Sequence, residues 1–204
     1  MGIYRHHVLP RLVDSACGTP ELRRFREEAV RGLRGRVLEI GFGSGLNVPV
    51  YPAEVDEVLA VEPALTARSL AAERIAASPV PVEHIGLDGQ SLPLDDSSVD
   101  SALSTFTLCT IPDVVRALEE VRRVLRPGGT LHFLEHGRSP DARVARWQRR
   151  LEPVQKLVAD GCHLTRDPIT LVTSTGFDIE WVDQRQARGP APWTYMTLGA
   201  ARRA

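Results

Sequence analysis

Across residues 36–134, short apolar runs alternate with stretches in which apolar positions recur every three or four residues. The runs at 36–40, 55–61, 80–85, 99–106 and 130–134 have strand length and are rich in valine, leucine and isoleucine. An alanine-rich helix is predicted over 64–77, ending before Pro79. A second is predicted over 113–125, where Val114, Ala117, Leu118, Val121 and Leu125 follow helical spacing and Arg126-Pro127-Gly128-Gly129 stops the run. Strand and helix in alternation imply a parallel α/β sheet. Upstream, residues 4–33 read as two helices broken at Gly18-Thr19-Pro20, with Thr19 as the cap of the second, Pro20 in its first turn and Glu21 close behind. Downstream come a helical stretch at 141–158, bent or broken by Pro153, a short helix at 167–175, and strands at 177–182 and 193–198. No long helix separates the last two strands, so an antiparallel hairpin at one sheet edge is expected. The whole reads as one domain over 1–204: a helical cap (1–34), a core (35–136), and a C-terminal part of helices and hairpin (137–204).

Composition changes this picture little. Of 204 residues, 43% are hydrophobic and 25% charged, which suits a globular domain able to bury a core unaided. Lys+Arg number 25 and Asp+Glu 26, a net charge of -1, so nothing draws the chain as a whole to a phosphate backbone and no nucleic-acid partner is expected. The arginines at 23–36 and 143–150 read as solvated helix faces. Cys17, Cys109 and Cys162 lie far apart, without CxxC or Cys/His ligand spacing, so neither a disulfide framework nor a metal site is expected. Arg5, His6, His7 and Arg11 interrupt the N-terminal apolar residues, unlike a signal peptide, and no run of about 20 apolar residues occurs to span a bilayer. A cytoplasmic monomer or homodimer is the expectation.

The strongest local signal is VLEIGFGSG, a buried strand entering a loop with Gly41, Gly43 and Gly45. Glycine lets the backbone turn sharply and touch a ligand. A dinucleotide fingerprint, GxGxxG, would place its last glycine where Leu46 stands. Glu39 is ill suited to a pyrophosphate but well suited to an ammonium group. S-adenosylmethionine, with an amino-acid end and a sulfonium but no phosphate, fits that charge better than NAD. Glu62, followed by Pro63, ends the second strand about 20 residues after the loop, where a carboxylate can accept from both ribose hydroxyls. Asp88-Gly89 follows the third strand and suits an adenine amino group; alone it would be an ordinary Asp-Gly turn.

Together with DGQSLPLDDSSVD and VRRVLRPGGTLHFLEH, these stretches resemble the class I S-adenosylmethionine-dependent methyltransferases over residues 36–136. The resemblance implies a Rossmann-like, seven-stranded, mostly parallel sheet with helices on both faces, an N-terminal helical cap and the last strand inserted antiparallel. It implies that Gly41, Gly43 and Gly45 face the cofactor, that Glu62 binds ribose and Asp88 approaches adenine, and that Thr105, Phe106 and the residues to Leu108 line the methyl-transfer site. LEH at 134–136, WQRRLEPVQKLVADGCHLTRD and TSTGF resemble the alkyl-thiol methyltransferases, a subgroup that also contains many bacterial proteins of unassigned substrate. The chain departs from that subgroup in its charged N-terminus, where the thiol enzymes carry an apolar anchor. The quinone-biosynthesis C-methyltransferases are similar in the core but less so at 160–166.

Methyl transfer from a sulfonium is an in-line displacement, and holding the three atoms in line supplies roughly 7–11 kcal/mol of the barrier. A small-molecule acceptor is expected to be surrounded by Glu135 and His136, at the end of the fifth strand, and by Asp160, Cys162, His163 and Arg166 from a polar loop. His136 is the natural general base because imidazole titrates near neutral pH. Asp160 and Arg166 read either as acceptor contacts or as an ion pair holding the loop, and Cys162 as a small buried thiol. Trp147, Trp181 and Trp193 read as core. A thiol acceptor comes first and a quinone or phenol second. A non-catalytic module that binds the cofactor is the alternative of a different class.

Overall fold

The computed structural model describes residues 4–204, apart from the side chains of Arg5 and His6. Seven strands form one sheet: β1 (Gly35–Ile40), β2 (Val55–Val61), β3 (Val82–Gly86), β4 (Val99–Thr105), β5 (Leu125–His136), β6 (Phe177–Gln186) and β7 (Tyr195–Arg203). Their order is β3-β2-β1-β4-β5-β7-β6. Strands β1 to β5 pair in parallel, while β7 runs antiparallel between β5 and β6. The terminal hairpin is therefore present. Its strands are longer than the sequence implies, because β6 continues to Gln186 and β7 to Arg203.

The helices are α1 (Leu9–Cys17), α2 (Pro20–Ala29), α3 (Leu65–Ala76), α4 (Val114–Val124), α5 (Ala142–Val158) and α6 (Pro168–Ser174). Thr19 caps α2 through Leu22 N at 3.3 Å, with Pro20 in the first turn. Asp113, Asp141 and Asp167 cap α4, α5 and α6 in the same way. Helix α4 buries Val114, Ala117, Leu118, Val121 and Val124 against one sheet face, about 1.5–3 kcal/mol for each of the larger side chains. Helix α5 runs unbroken through Pro153. The residue is exposed, so the carbonyl one turn earlier that loses its hydrogen bond can turn to water.

Strand alternation sends Leu38 and Ile40 into the core under α4 and α6, and Val37 to the opposite core with α3 and the end of α2. Helix α1 buries no residue at all. A tryptophan core is not found: Trp147 is 55% exposed, and Trp181 and Trp193 are each 37% exposed. Trp147 lies on the outer face of α5, beneath the Arg150 guanidinium, rather than on the face carrying Ala145 and Gln148. Among the described residues, no helix is long and apolar enough to cross a membrane.

Candidate functional site

Leaving β1 the chain steps outward to β2 and β3, then returns to the other side of β1 as β4. At such a reversal the loops after adjacent strands diverge and leave a crevice beyond the carboxyl ends. A cleft of about 470 Å³ opens there, within the usual size range of ligand pockets. The loops after β1, β2, β3 and β4 form its floor, and Val13, Cys17 and Arg26 close it from the cap helices.

The three loop glycines do different jobs. All have positive φ, +67° at Gly41, +59° at Gly43 and +75° at Gly45. A Cβ on Gly41 would sit 2.0 Å from Thr107 Oγ1, and one on Gly45 would press on Val48, Ala71 and Phe42. Those two keep the β4 loop and α3 close. A Cβ on Gly43 would meet only the Gly41 carbonyl at 3.9 Å and otherwise project into open space. Gly41 and Gly43 line the cleft; Gly45 does not.

Glu62 lies at the rim, with Oε2 accepting from Gly43 N and Oε1 from Ala64 N, both at 2.7 Å. Burial raises its pKa, and the two amides oppose that rise. Each oxygen keeps a lone pair for a hydroxyl. Pro63, Asp88 and Gly89 also line the cleft. Gln90 holds Asp88 Oδ1 through its side chain and backbone amide, which lowers the Asp88 pKa.

Glu39 is fully buried and is not among the lining residues. Odd positions of β1 face α2 and the segment after the glycine loop, so the carboxylate meets Asn47 Nδ2 at 2.9 Å and Tyr51 OH at 2.6 Å. Burial lifts its pKa to about 7 against the pull of those two donors. Asn47 also donates to Thr105 Oγ1, and the Arg26 guanidinium donates to both Asn47 Oδ1 and Thr105 Oγ1. Arg26 is 4% exposed, lies 5.2 Å over the Phe106 ring and keeps a buried Nε without a partner. Phe106, a cleft residue, has φ +55°, an uncommon backbone for a side chain of that size.

Of the residues expected around the acceptor, Asp160 lines the cleft; Thr110, Ile111 and Pro112 line it as well. The others lie behind it. Glu135 is fully buried and accepts from Ser104 Oγ, Thr107 N and Leu108 N, fixing the β4 loop from below. His136 faces the other way, its Nε2 3.2 Å from Cys162 Sγ. His163 Nδ1 pairs with Glu152 at 3.0 Å. Arg166 donates to the carbonyl oxygens of Leu108 and Ile111, tying that loop to the β4 loop.

Sequence reading missed Arg26, Cys17, Asn47 and Tyr51. Arg26 sits inside a basic run, yet it shares the buried stripe of α2 with Phe25 and Ala29, and that spacing was the available signal. Helix α1 is held over the cleft by Asp14, which accepts from Ser44 Oγ at 2.6 Å and Arg74 Nη1 at 2.8 Å. His7 contacts Thr66 Oγ1 at 3.4 Å, and the His6 side chain lies outside the described residues.

This arrangement fits S-adenosylmethionine. The open space over Gly43 admits a ligand against the backbone, Glu62 retains acceptors for a diol, and the positive charge of Arg26 in the cleft lining suits a carboxylate. Residues 38–133 match the family of the methyltransferase domain. The chain is 33% identical over 174 residues to thiol S-methyltransferase TMT1B of Rattus norvegicus, covering 80% of this chain and 66% of that protein. Against the Homo sapiens protein of the same name it is 34% identical over 185 residues, covering 84% and 71%. It thus spans about two thirds of the length of these relatives. A SAM-dependent methyltransferase from Thermotoga maritima has the same fold, with a TM-score of 0.70 at 23% identity over 98% of this chain and 99% of that one. The glycine loop, the Glu62 rim and the extent of these matches agree: the chain belongs to the S-adenosylmethionine-dependent methyltransferases.

Proposed function

We propose that the protein transfers a methyl group from S-adenosylmethionine to the sulfur of a small thiol. In this reading Glu62 accepts from the ribose hydroxyls, Asp88 from the adenine amino group, and the Gly41 and Gly43 backbone lies against the cofactor. Arg26 holds the cofactor carboxylate and Phe106, with Thr105 behind it, closes the reacting end. The cofactor supplies an electrophilic methyl on a sulfonium, so the remaining task is to present a nucleophile in line and keep water out. Val13, Cys17 and Ile111 give the closing wall its apolar character.

The observation that carries the thiol reading is the chemistry at the acceptor end. Among the described residues no histidine lines the cleft, and Glu135, His136 and His163 are engaged elsewhere. A phenol or carbon acceptor calls for a poised imidazole-like base rather than the single carboxylate, Asp160, at the acceptor end, whereas a thiol with a pKa near about 8.5 ionises with little help. The names of the relatives, which match beyond the cofactor core into the C-terminal third, support the same choice. The three free cysteines support a reducing, cytoplasmic setting.

The test is methyl release from a panel of small thiols, phenols and quinols at several pH values. Turnover of a thiol, with a rate that follows its thiolate fraction, is the expected result. Turnover of quinols or phenols with every thiol inert overturns the reading.

A further inference from the structure

Cys109, His136 and Cys162 stand 27 and 26 residues apart in sequence, yet the fold gathers one ligand atom from each within 4.8 Å of the others. They come from three separate elements: the loop after β4, the end of β5, and the turn between α5 and α6. Each is fixed by backbone bonds that do not involve the cluster. The Cys109 carbonyl accepts from His163 N at 2.9 Å, which locks the two cysteine-bearing segments together. The Cys162 amide donates to Ala159 O at 3.0 Å, and His136 is paired with Met196 in the sheet. Both cysteines are buried, and neither belongs to a disulfide.

We propose that these three side chains form a binding site for a soft divalent cation of the zinc class. Around a tetrahedral zinc, with bonds of about 2.3 Å to sulfur and about 2.0–2.1 Å to nitrogen, neighbouring ligand atoms stand about 3.5–3.8 Å apart. His136 Nε2 and Cys162 Sγ are 3.2 Å apart, so a cation needs only a few tenths of an ångström of adjustment between them. Two thiols and an imidazole, with no carboxylate among them, select zinc over magnesium or calcium. Two thiolates would neutralise the ion, and the Arg166 side chain, anchored to the carbonyls of Leu108 and Ile111, ties the segment after Cys162 to the loop that carries Cys109. The buried Nδ1 of His136 lacks the second hydrogen bond that usually orients a zinc-bound imidazole. Such an omission weakens binding by about 10–100-fold, which places the site below a structural zinc finger in affinity. The cation would join the acceptor-side turn, which carries Asp160, to the β4 loop, which carries Phe106. This assignment does not depend on the identity of the methyl acceptor.

The experiment is titration of the metal-free, fully reduced protein with Zn²⁺ and with Co²⁺, read by calorimetry, metal analysis and absorption. One equivalent per chain, a thiolate-to-cobalt charge-transfer band and a zinc-dependent rise in Tm are expected. Cys109→Ser and Cys162→Ser should each weaken binding at least 100-fold, while Cys17→Ser keeps it. Saturation without any thiolate-to-cobalt band, or zinc binding retained in both cluster variants, overturns the proposal. If the variants fail to fold, X-ray absorption of the zinc-loaded wild type decides: two sulfur ligands and one imidazole sustain the site, and an oxygen-only shell removes it.

Discussion

Glu39 offers a test of the buried network that needs no ligand. Its carboxylate is fully buried, and burial lifts its pKa from 4.5 to about 7 although Tyr51 and Asn47 both donate to it. The folded state therefore binds this proton more tightly than the unfolded chain does. Stability from the group is fully present below about pH 4.5 and is lost as pH rises to the folded value near 7. The rise corresponds to roughly 3 kcal/mol, most of which falls between pH 5 and 8. Glu39→Gln preserves the shape, with its carbonyl able to accept from Asn47 and its amide able to donate to the Tyr51 oxygen, but it cannot titrate. Urea unfolding of both proteins at pH 5, 6, 7 and 8 isolates the contribution of this carboxyl, because every other titrating group is common to both. The wild type should lose roughly 2–3 kcal/mol relative to Glu39→Gln across that range. Parallel stability profiles would show that the carboxylate stays ionised in the fold, and the reasoning from burial would fail.

The glycines separate into two kinds of variant. Gly41→Ala should cost both stability and cofactor binding, since its Cβ meets Thr107 at 2.0 Å, whereas Gly43→Ala should lower cofactor affinity at least tenfold with a loss of only about 1–2 kcal/mol in unfolding free energy. Titration calorimetry and thermal melts on the same two samples check this, and equal affinity losses would refute the distinction. Arg26→Gln should raise the Kd for S-adenosylmethionine by about 10–100-fold through loss of a charged hydrogen bond of about 1.5–3 kcal/mol, and wild-type affinity would remove Arg26 from the cofactor site. Glu135→Ala leaves Ser104 Oγ, Thr107 N and Leu108 N without their acceptor and should lower stability by about 3–5 kcal/mol in urea, with a change under about 1 kcal/mol refuting its role under the β4 loop.

The parts of this structure legible in the sequence are those fixed over a few residues. Periodicity marks the strands and α4, the cap of α2 is spelled out by Thr19-Pro20, and the alternating glycines of the first loop mark a close approach of backbone. Glu62 and Asp88 could be placed because each follows a strand end, and every parallel strand of such a sheet ends on the same side. What escaped was decided by side-chain direction and by contacts across the fold. Glu135 and His136 are neighbours at the end of β5, but alternation turns them to opposite faces, so they cannot act as a pair at one site. Arg26 was hidden by the arginines around it, although its helical phase matches Phe25 and Ala29. Cys109, His136 and Cys162 carry no local spacing at all; only the return of the chain after α5 brings them together.

The two sides of the cleft are held by different forces. The floor rests on a sheet with apolar cores on both faces, and its loops are pinned by buried carboxylates, Glu135 under the β4 loop and Glu62 against the glycine loop. The wall contributed by α1 rests on no buried residue. Its attachments among the described residues are largely polar: Asp14 to Ser44 and Arg74, and, from the turn that precedes α1, the Tyr4 hydroxyl to the Val158 carbonyl. Hydrogen bonds to a charged group contribute about 1.5–3 kcal/mol each, against the far larger sum of buried side chains that fixes the floor. Displacing α1 therefore breaks a few polar contacts and exposes little core. Phe25 and Ala29 seat α2 in the core beside Leu134 and Leu198, and that packing fixes the buried guanidinium of Arg26 independently of α1.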